Sequence, residues 1–157
     1  TADELHEANR IYATVDLDRQ KRTGFPEVIF GEGKSAQHIT GILKRLNDAG
    51  QNAFATRVDS EKASAIQQEL PDASYNAMAR ILHREVHPVE HTGKGTIGIL
   101  CAGTSDLPVA EEAACVALEC GVLAEPAVGA TARGERKLLR VRNRAHDLSK
   151  ERVRGLA

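Results

Sequence analysis

The residues best placed to do chemistry are four in a row, Gly103-Thr104-Ser105-Asp106. They follow a short apolar run, Thr96-Ile97-Gly98-Ile99-Leu100-Cys101-Ala102, and precede an Ala- and Glu-rich stretch with Pro108 near its start. Read as strand, turn and helix, this arrangement aims backbone N–H groups, two small hydroxyls and the positive end of a helix dipole at one point. A phosphate or carboxylate suits that point, and the carboxyl ends of parallel strands are where α/β proteins take ligands. Asp106 can also hold a proton or orient a substrate. Gly103, Thr104 and Ser105 are therefore candidate binding residues, and Ser105 and Asp106 candidate catalytic ones. The competing reading is that Ser105 or Asp106 only caps the helix.

Other chemically able residues form weaker patterns. Cys101, Cys115 and Cys120 lie in apolar segments without CxxC spacing. They read as reduced packing thiols in a cytoplasmic protein. His83, His87 and His91 are spaced by four, but Pro88 would break the helix that such spacing needs. With no carboxylate- or cysteine-rich partner, they read as solvated connector residues, and no metal ligand is assigned. Gly31-Glu32-Gly33-Lys34-Ser35 resembles a phosphate loop only superficially, because Val28 stands where the first glycine of that motif belongs. It reads as a simple turn.

The elements that must position these groups are legible as alternating signals. Glu27-Val28-Ile29-Phe30 reads as a strand, and Ser35 as the cap of a helix over Ala36–Asp48 with Ile39, Ile42, Leu43 and Leu46 on one face. Asn52–Val58 reads as a second strand, and Asp59-Ser60 as the cap of a helix to Leu70 with Ala63, Ile66 and Leu70 inward. Met78–His83 is expected as a third strand, and the stretch up to Asp18 as a short strand or extended arm. The fold class is therefore α/β. Continuous apolarity over Thr96–Ala102 predicts burial on both faces of a central parallel strand. A helix is expected from Leu107 to Cys120, after which periodicity fades, and Lys137–Asp147 reads as a basic helix with a thin apolar stripe.

Two long segments carry a family resemblance. Gly103-Thr104-Ser105-Asp106-Leu107-Pro108-Val109-Ala110-Glu111-Glu112-Ala113 resembles the opening of the catalytic domain of LarB-type enzymes. These enzymes act in synthesis of the nickel-pincer cofactor, and their catalytic domain is related to aminoimidazole ribonucleotide carboxylase (PurE). Ala13–Arg19, Arg22–Lys34 and Thr56-Arg57-Val58 resemble the LarB N-terminal segment, so the likeness runs with gaps from Ala13 to Gly121. It implies a small N-terminal α/β domain (1–86), a polar linker (87–95), and the start of a PurE-like, Rossmann-like parallel-sheet domain (96–123). A basic atypical tail (124–157) follows. The implied reaction is carboxylation of the pyridinium ring of nicotinic acid adenine dinucleotide by CO2 or bicarbonate. Hydrolysis of the phosphoanhydride then gives the biscarboxylated mononucleotide and AMP. No tightly bound cofactor is implied, and Mg2+ is allowed as an accessory ion. The turn at 103–106 would take the substrate's phosphate or carboxylate. The family's nucleophilic cysteine lies downstream of the matching region, and none of the three cysteines here corresponds to it.

Composition narrows the rivals. The chain of 157 residues has a net charge of -1, five aromatic residues and no Trp. That supplies neither a global field nor stacking platforms for nucleic acid. The nine Lys/Arg and three Asp/Glu of 131–157 give +6, which leaves 12 basic and 19 acidic residues, or -7, before it. Without aromatic interleaving this tail reads as a solvated charged end. No apolar run is long enough to span a membrane, and the polar start is unlike a signal peptide. The expected partners are a dinucleotide substrate and further copies of the chain, since related families form multimers with sites between subunits. Two rivals remain: a PurE-like reaction on a purine-pathway ribonucleotide, and a non-catalytic binding or assembly module. A long segment before the ligand turn favours LarB over PurE. The module reading draws on the missing nucleophile and on a lone βα unit, which would leave strand edges and an apolar face exposed.

Overall fold

The computed structural model describes residues 15–132 and 135–140. The chain is α/β. Its elements in order are α1 (Arg19–Thr23), β1 (Val28–Phe30), α2 (Ala36–Asp48), β2 (Ala53–Thr56), α3 (Ser60–Glu69), β3 (Ser74–Asn76) and β4 (Ile81–Arg84). Then come β5 (Thr96–Cys101), a 3-10 turn (Thr104–Asp106), α4 (Leu107–Glu119), β6 (Leu123–Ala132) and β7 (Glu135–Arg140).

The first sheet has the order β1-β2-β4-β3. β1 and β2 are parallel, in the register Val28↔Phe54 to Phe30↔Thr56. Gly31 is required where β1 ends: its N–H donates to Thr56 O at 2.8 Å, and a Cβ there would lie 2.7 Å from the same oxygen. The two helices that follow these strands start as their sequences dictate. The Ser35 side chain accepts from His38 N–H, and the Asp59 side chain from Lys62 N–H, satisfying groups left open in each first turn.

Two differences from the sequence reading stand out here. The expected strand Met78–His83 is instead a turn over 77–80 followed by β4, which runs antiparallel to both β2 and β3. Asn76 Oδ1 accepts from Met78 N–H and Ala79 N–H, which reverses the chain and favours a hairpin over a longer strand. The stretch Val15–Asp18 is a turn leading into α1, not a strand; the rest of that expected arm lies outside the described residues.

Strand alternation then divides the core into two clusters, one on each face. Ala53 and Ala55 of β2 and Leu82 of β4 join Ile39, Leu43, Leu46, Ala63 and Ile66 from α2 and α3. Phe54 and Ile81 point the other way, with Ala79, and pack against Cys115 and Val116 of α4. β2 is buried at all four positions because a helix layer covers each face.

The second sheet, β5-β6-β7, pairs β5 and β6 in parallel through α4, then β6 and β7 antiparallel. Two expectations need revision. β5 is not buried on both faces: Ile97 is 51% and Leu100 68% exposed, and the two, an odd number of positions apart, lie on opposite faces of the strand. The region expected as a weakly patterned tail contains β6 and β7, and 137–140 is strand where a basic helix was expected. Residues 141–147 of that expected helix lie outside the described residues. The β6 sequence, Leu-Ala-Glu-Pro-Ala-Val-Gly-Ala-Thr-Ala, lacks the apolar alternation that announces a strand; its backbone pairing with β5 is what places it.

Candidate functional site

The candidate ligand turn sits at the carboxyl end of β5 and the amino end of α4. Gly103 has φ 106° and ψ 163°, a conformation side chains resist, so glycine is needed for the strand to break off there. Thr104–Asp106 form one 3-10 turn, closed by Leu107 N–H donating to Thr104 O. Asp106 occupies the N-cap position of α4 but makes no capping bond with its side chain. The Ser105 hydroxyl instead donates to Asp106 Oδ1 at 3.4 Å. Gly103, Thr104, Ser105 and Asp106 are thus neighbours on one exposed turn, next to a helix start whose N–H groups no side-chain cap occupies.

The first sheet reaches α4 through several polar contacts. Arg57, at φ 57°, follows β2 and donates from Nε to Glu112 Oε1 at 2.7 Å. That hydrogen bond, then the charge of Glu112, holds the guanidinium above its ordinary pKa. Arg80, also left-handed at φ 55°, offers its carbonyl to Val58 N–H, and its guanidinium donates to Arg57 O. Two non-glycine residues in this conformation, side by side, mark backbone held by its surroundings. Asn76 Nδ2 donates to Glu111 Oε1 at 3.3 Å and lies 3.4 Å from Cys115 Sγ. Glu111 is buried, and its second carboxylate oxygen has no hydrogen-bond partner.

A third contact lies at the far end of α4. His83 is on β4, on the same face as Ile81. Its Nδ1 lies 2.7 Å from Glu119 Oε1 and 3.7 Å from Glu85 Oε1. The nitrogen is sealed from solvent, and Glu119 is its nearest partner. Burial disfavours the imidazolium, but Glu119, helped by Glu85, outweighs it and raises the His83 pKa above its ordinary value. His83 is therefore not a solvated connector residue. Sequence spacing missed this group because Glu119 arrives from a separate element; the i, i+2 pair His83 and Glu85 was its one local sign.

The remaining sequence candidates play structural parts. Lys34 Nζ turns back to donate to Phe30 O, and the Ser35 hydroxyl is taken up by the α2 cap. Cys115 is buried and Cys101 and Cys120 partly so, with no disulfide among them. Burial, with Glu119 adjacent, raises the Cys120 thiol pKa, the opposite of an activated nucleophile. Among the described residues, no helix is long and apolar enough to cross a membrane.

These elements place the chain among known proteins. A family model described as the LarB/PurE-like N-terminal domain matches residues 6–86, which is 81 of 157 residues. The chain belongs to this family. It is also similar to the uncharacterized protein MJ0165 of Methanocaldococcus jannaschii, with 39% identity over 106 residues. That match covers 63% of this chain and 41% of the relative. The family's matched segment ends just after β4, so the ligand turn and α4 lie beyond it.

Proposed function

We propose that this chain serves LarB-type carboxylation of the pyridinium ring of nicotinic acid adenine dinucleotide, with the turn at 103–106 receiving a phosphate or carboxylate of the substrate. The observation that carries the reading is the turn itself. It ends a parallel strand, begins a thirteen-residue helix whose first turn lacks a side-chain cap, and follows a domain of the LarB/PurE-like family. Backbone N–H groups and the helix dipole would hold the anion, the Ser105 hydroxyl would add a donor, and Asp106 would orient the group or hold a proton. Covalent activation of the ring would need the family's nucleophilic cysteine, to which none of Cys101, Cys115 and Cys120 corresponds, and Cys115 is packed against the first sheet. Binding without turnover is therefore expected of these 157 residues.

Calorimetry with nicotinic acid adenine dinucleotide tests the proposal on the unaltered protein and on Ser105→Leu. Binding that Ser105→Leu abolishes, with unchanged circular dichroism, supports it; equal affinity in both reduces the turn to a helix start. Mass analysis after incubation with bicarbonate should show no biscarboxylated mononucleotide, and clear product would put the nucleophile inside this chain. Preference for aminoimidazole ribonucleotide over the dinucleotide would favour the PurE-like reaction. The same proposal includes a homo-oligomer with sites between subunits, optional Mg2+, a cytoplasmic setting and no nucleic-acid partner. Sedimentation with and without the dinucleotide checks the assembly.

A further inference from the structure

The contact between β4 and the end of α4 has a charge balance that an ion pair alone does not settle. Two carboxylates, Glu85 and Glu119, converge on one imidazole, so even protonated His83 leaves a net charge of -1. Glu119 is mostly buried, with 11% of its side chain exposed. It lies in the last turn of α4, which contains no basic residue, so it also faces the negative end of the helix dipole. A carboxylate in that position calls for more positive charge than His83 supplies.

The geometry fits a small divalent cation. One ligand atom from each of His83, Glu85 and Glu119 lies within 4.8 Å of the others. With metal–donor bonds of about 2.0–2.2 Å, tetrahedral donors sit roughly 3.4 Å apart. The His83–Glu119 and His83–Glu85 separations of 2.7 and 3.7 Å bracket that spacing. Glu85 is the most exposed of the three, so its side chain can swing inward at little cost. His83 Nδ1 already faces both carboxylates and is shielded from water. One imidazole with two carboxylates suits first-row divalent ions such as Zn2+, and water can complete the shell.

We propose that His83, Glu85 and Glu119 bind one first-row divalent cation, which clamps the end of α4 onto the first sheet. A neutral imidazole, two carboxylates and a divalent ion sum to zero charge. The ion would fix the orientation of the helix whose other end forms the ligand turn. The proposal stands apart from the assignment of that turn's ligand.

The test uses the 157-residue protein stripped with EDTA and titrated with ZnCl2. Calorimetry should give one site, and the melting temperature should rise with Zn2+. His83→Gln, Glu119→Gln and Glu85→Gln should each weaken binding by at least about 10-fold, since loss of a direct ligand should cost no less than loss of its supporting shell. If the first two variants do not fold, the exposed Glu85→Gln decides. Co2+ in place of Zn2+ should give visible bands without the near-ultraviolet absorption of a thiolate ligand. Failure to bind Zn2+, full affinity in the variants that fold, or a thiolate signature from the cysteines would each overturn the proposal. The first outcome would leave the cluster an ion pair.

Discussion

The two sheets make opposite use of apolar residues. In the first, β2 is covered on both sides, by α2 and α3 on one face and α4 on the other, and Phe54 is almost wholly buried, while the edge strand β1 leaves Val28 and Phe30 exposed. In the second, β5 has the most continuous apolar run in the chain, yet Ile97 and Leu100 stand open to solvent. Apolar sequence thus records what a strand is suited to be buried by, while burial depends on which elements are there to cover it. α4 belongs to both regions: Cys115 and Val116 pack on the first sheet, while the helix also bridges β5 and β6. The matching stretch spans 41% of the curated relative's length.

Phe54 carries most of the difference between the two sheets. Its ring fills the space between β2 and α4, so Phe54→Ala should destabilise the fold by about 3–5 kcal/mol, by lost transfer energy and the cavity left behind. Urea unfolding measures this; a loss below about 1 kcal/mol would mean that the cavity collapses and α4 is not a firm layer. Gly103 gives a smaller effect of different origin. A Cβ there meets only Ser105 Oγ at 4.0 Å, so space is ample and the cost is conformational. Gly103→Ala should cost about 1–3 kcal/mol, the range for side chains in sparsely populated backbone regions. Thermal melting reads it, and an unchanged melting temperature would show that the turn relaxes to another shape. Leu100→Ala should do least. With the side chain 68% exposed, the change should stay within about 0.5 kcal/mol. A loss comparable to that of Phe54→Ala would show that the open face is covered in solution, most simply by another copy of the chain.

Much of the first sheet was legible because its signals are local. The expected bounds of α2 coincide with those observed, and α3 ends one residue early, since each has a polar cap and an apolar face repeating at helical spacing. The turn after β5 was placed by the glycine that ends the strand and by Pro108 near the start of α4. The hairpin of β3 and β4 was not legible, because β3 is three residues long and its reversal depends on how the Asn76 side chain is used. β6 and β7 escaped notice because small and polar residues form them without alternation.

What the sequence alone determined is what residues within about one helical turn decide together: caps, helix faces, the glycine turn and the α/β class. Tertiary structure decided the rest. It set the antiparallel course of β4, the exposure of β5, and the docking of α4 on Phe54 and Ile81. It also brought Glu112 to Arg57 and Glu119 to His83. The physical reason is range: a cap bond closes over three or four residues. Glu112 and Glu119, by contrast, come from a distant part of the chain, and they meet Arg57 and His83 only because two helix layers and a sheet must bury their apolar faces at once.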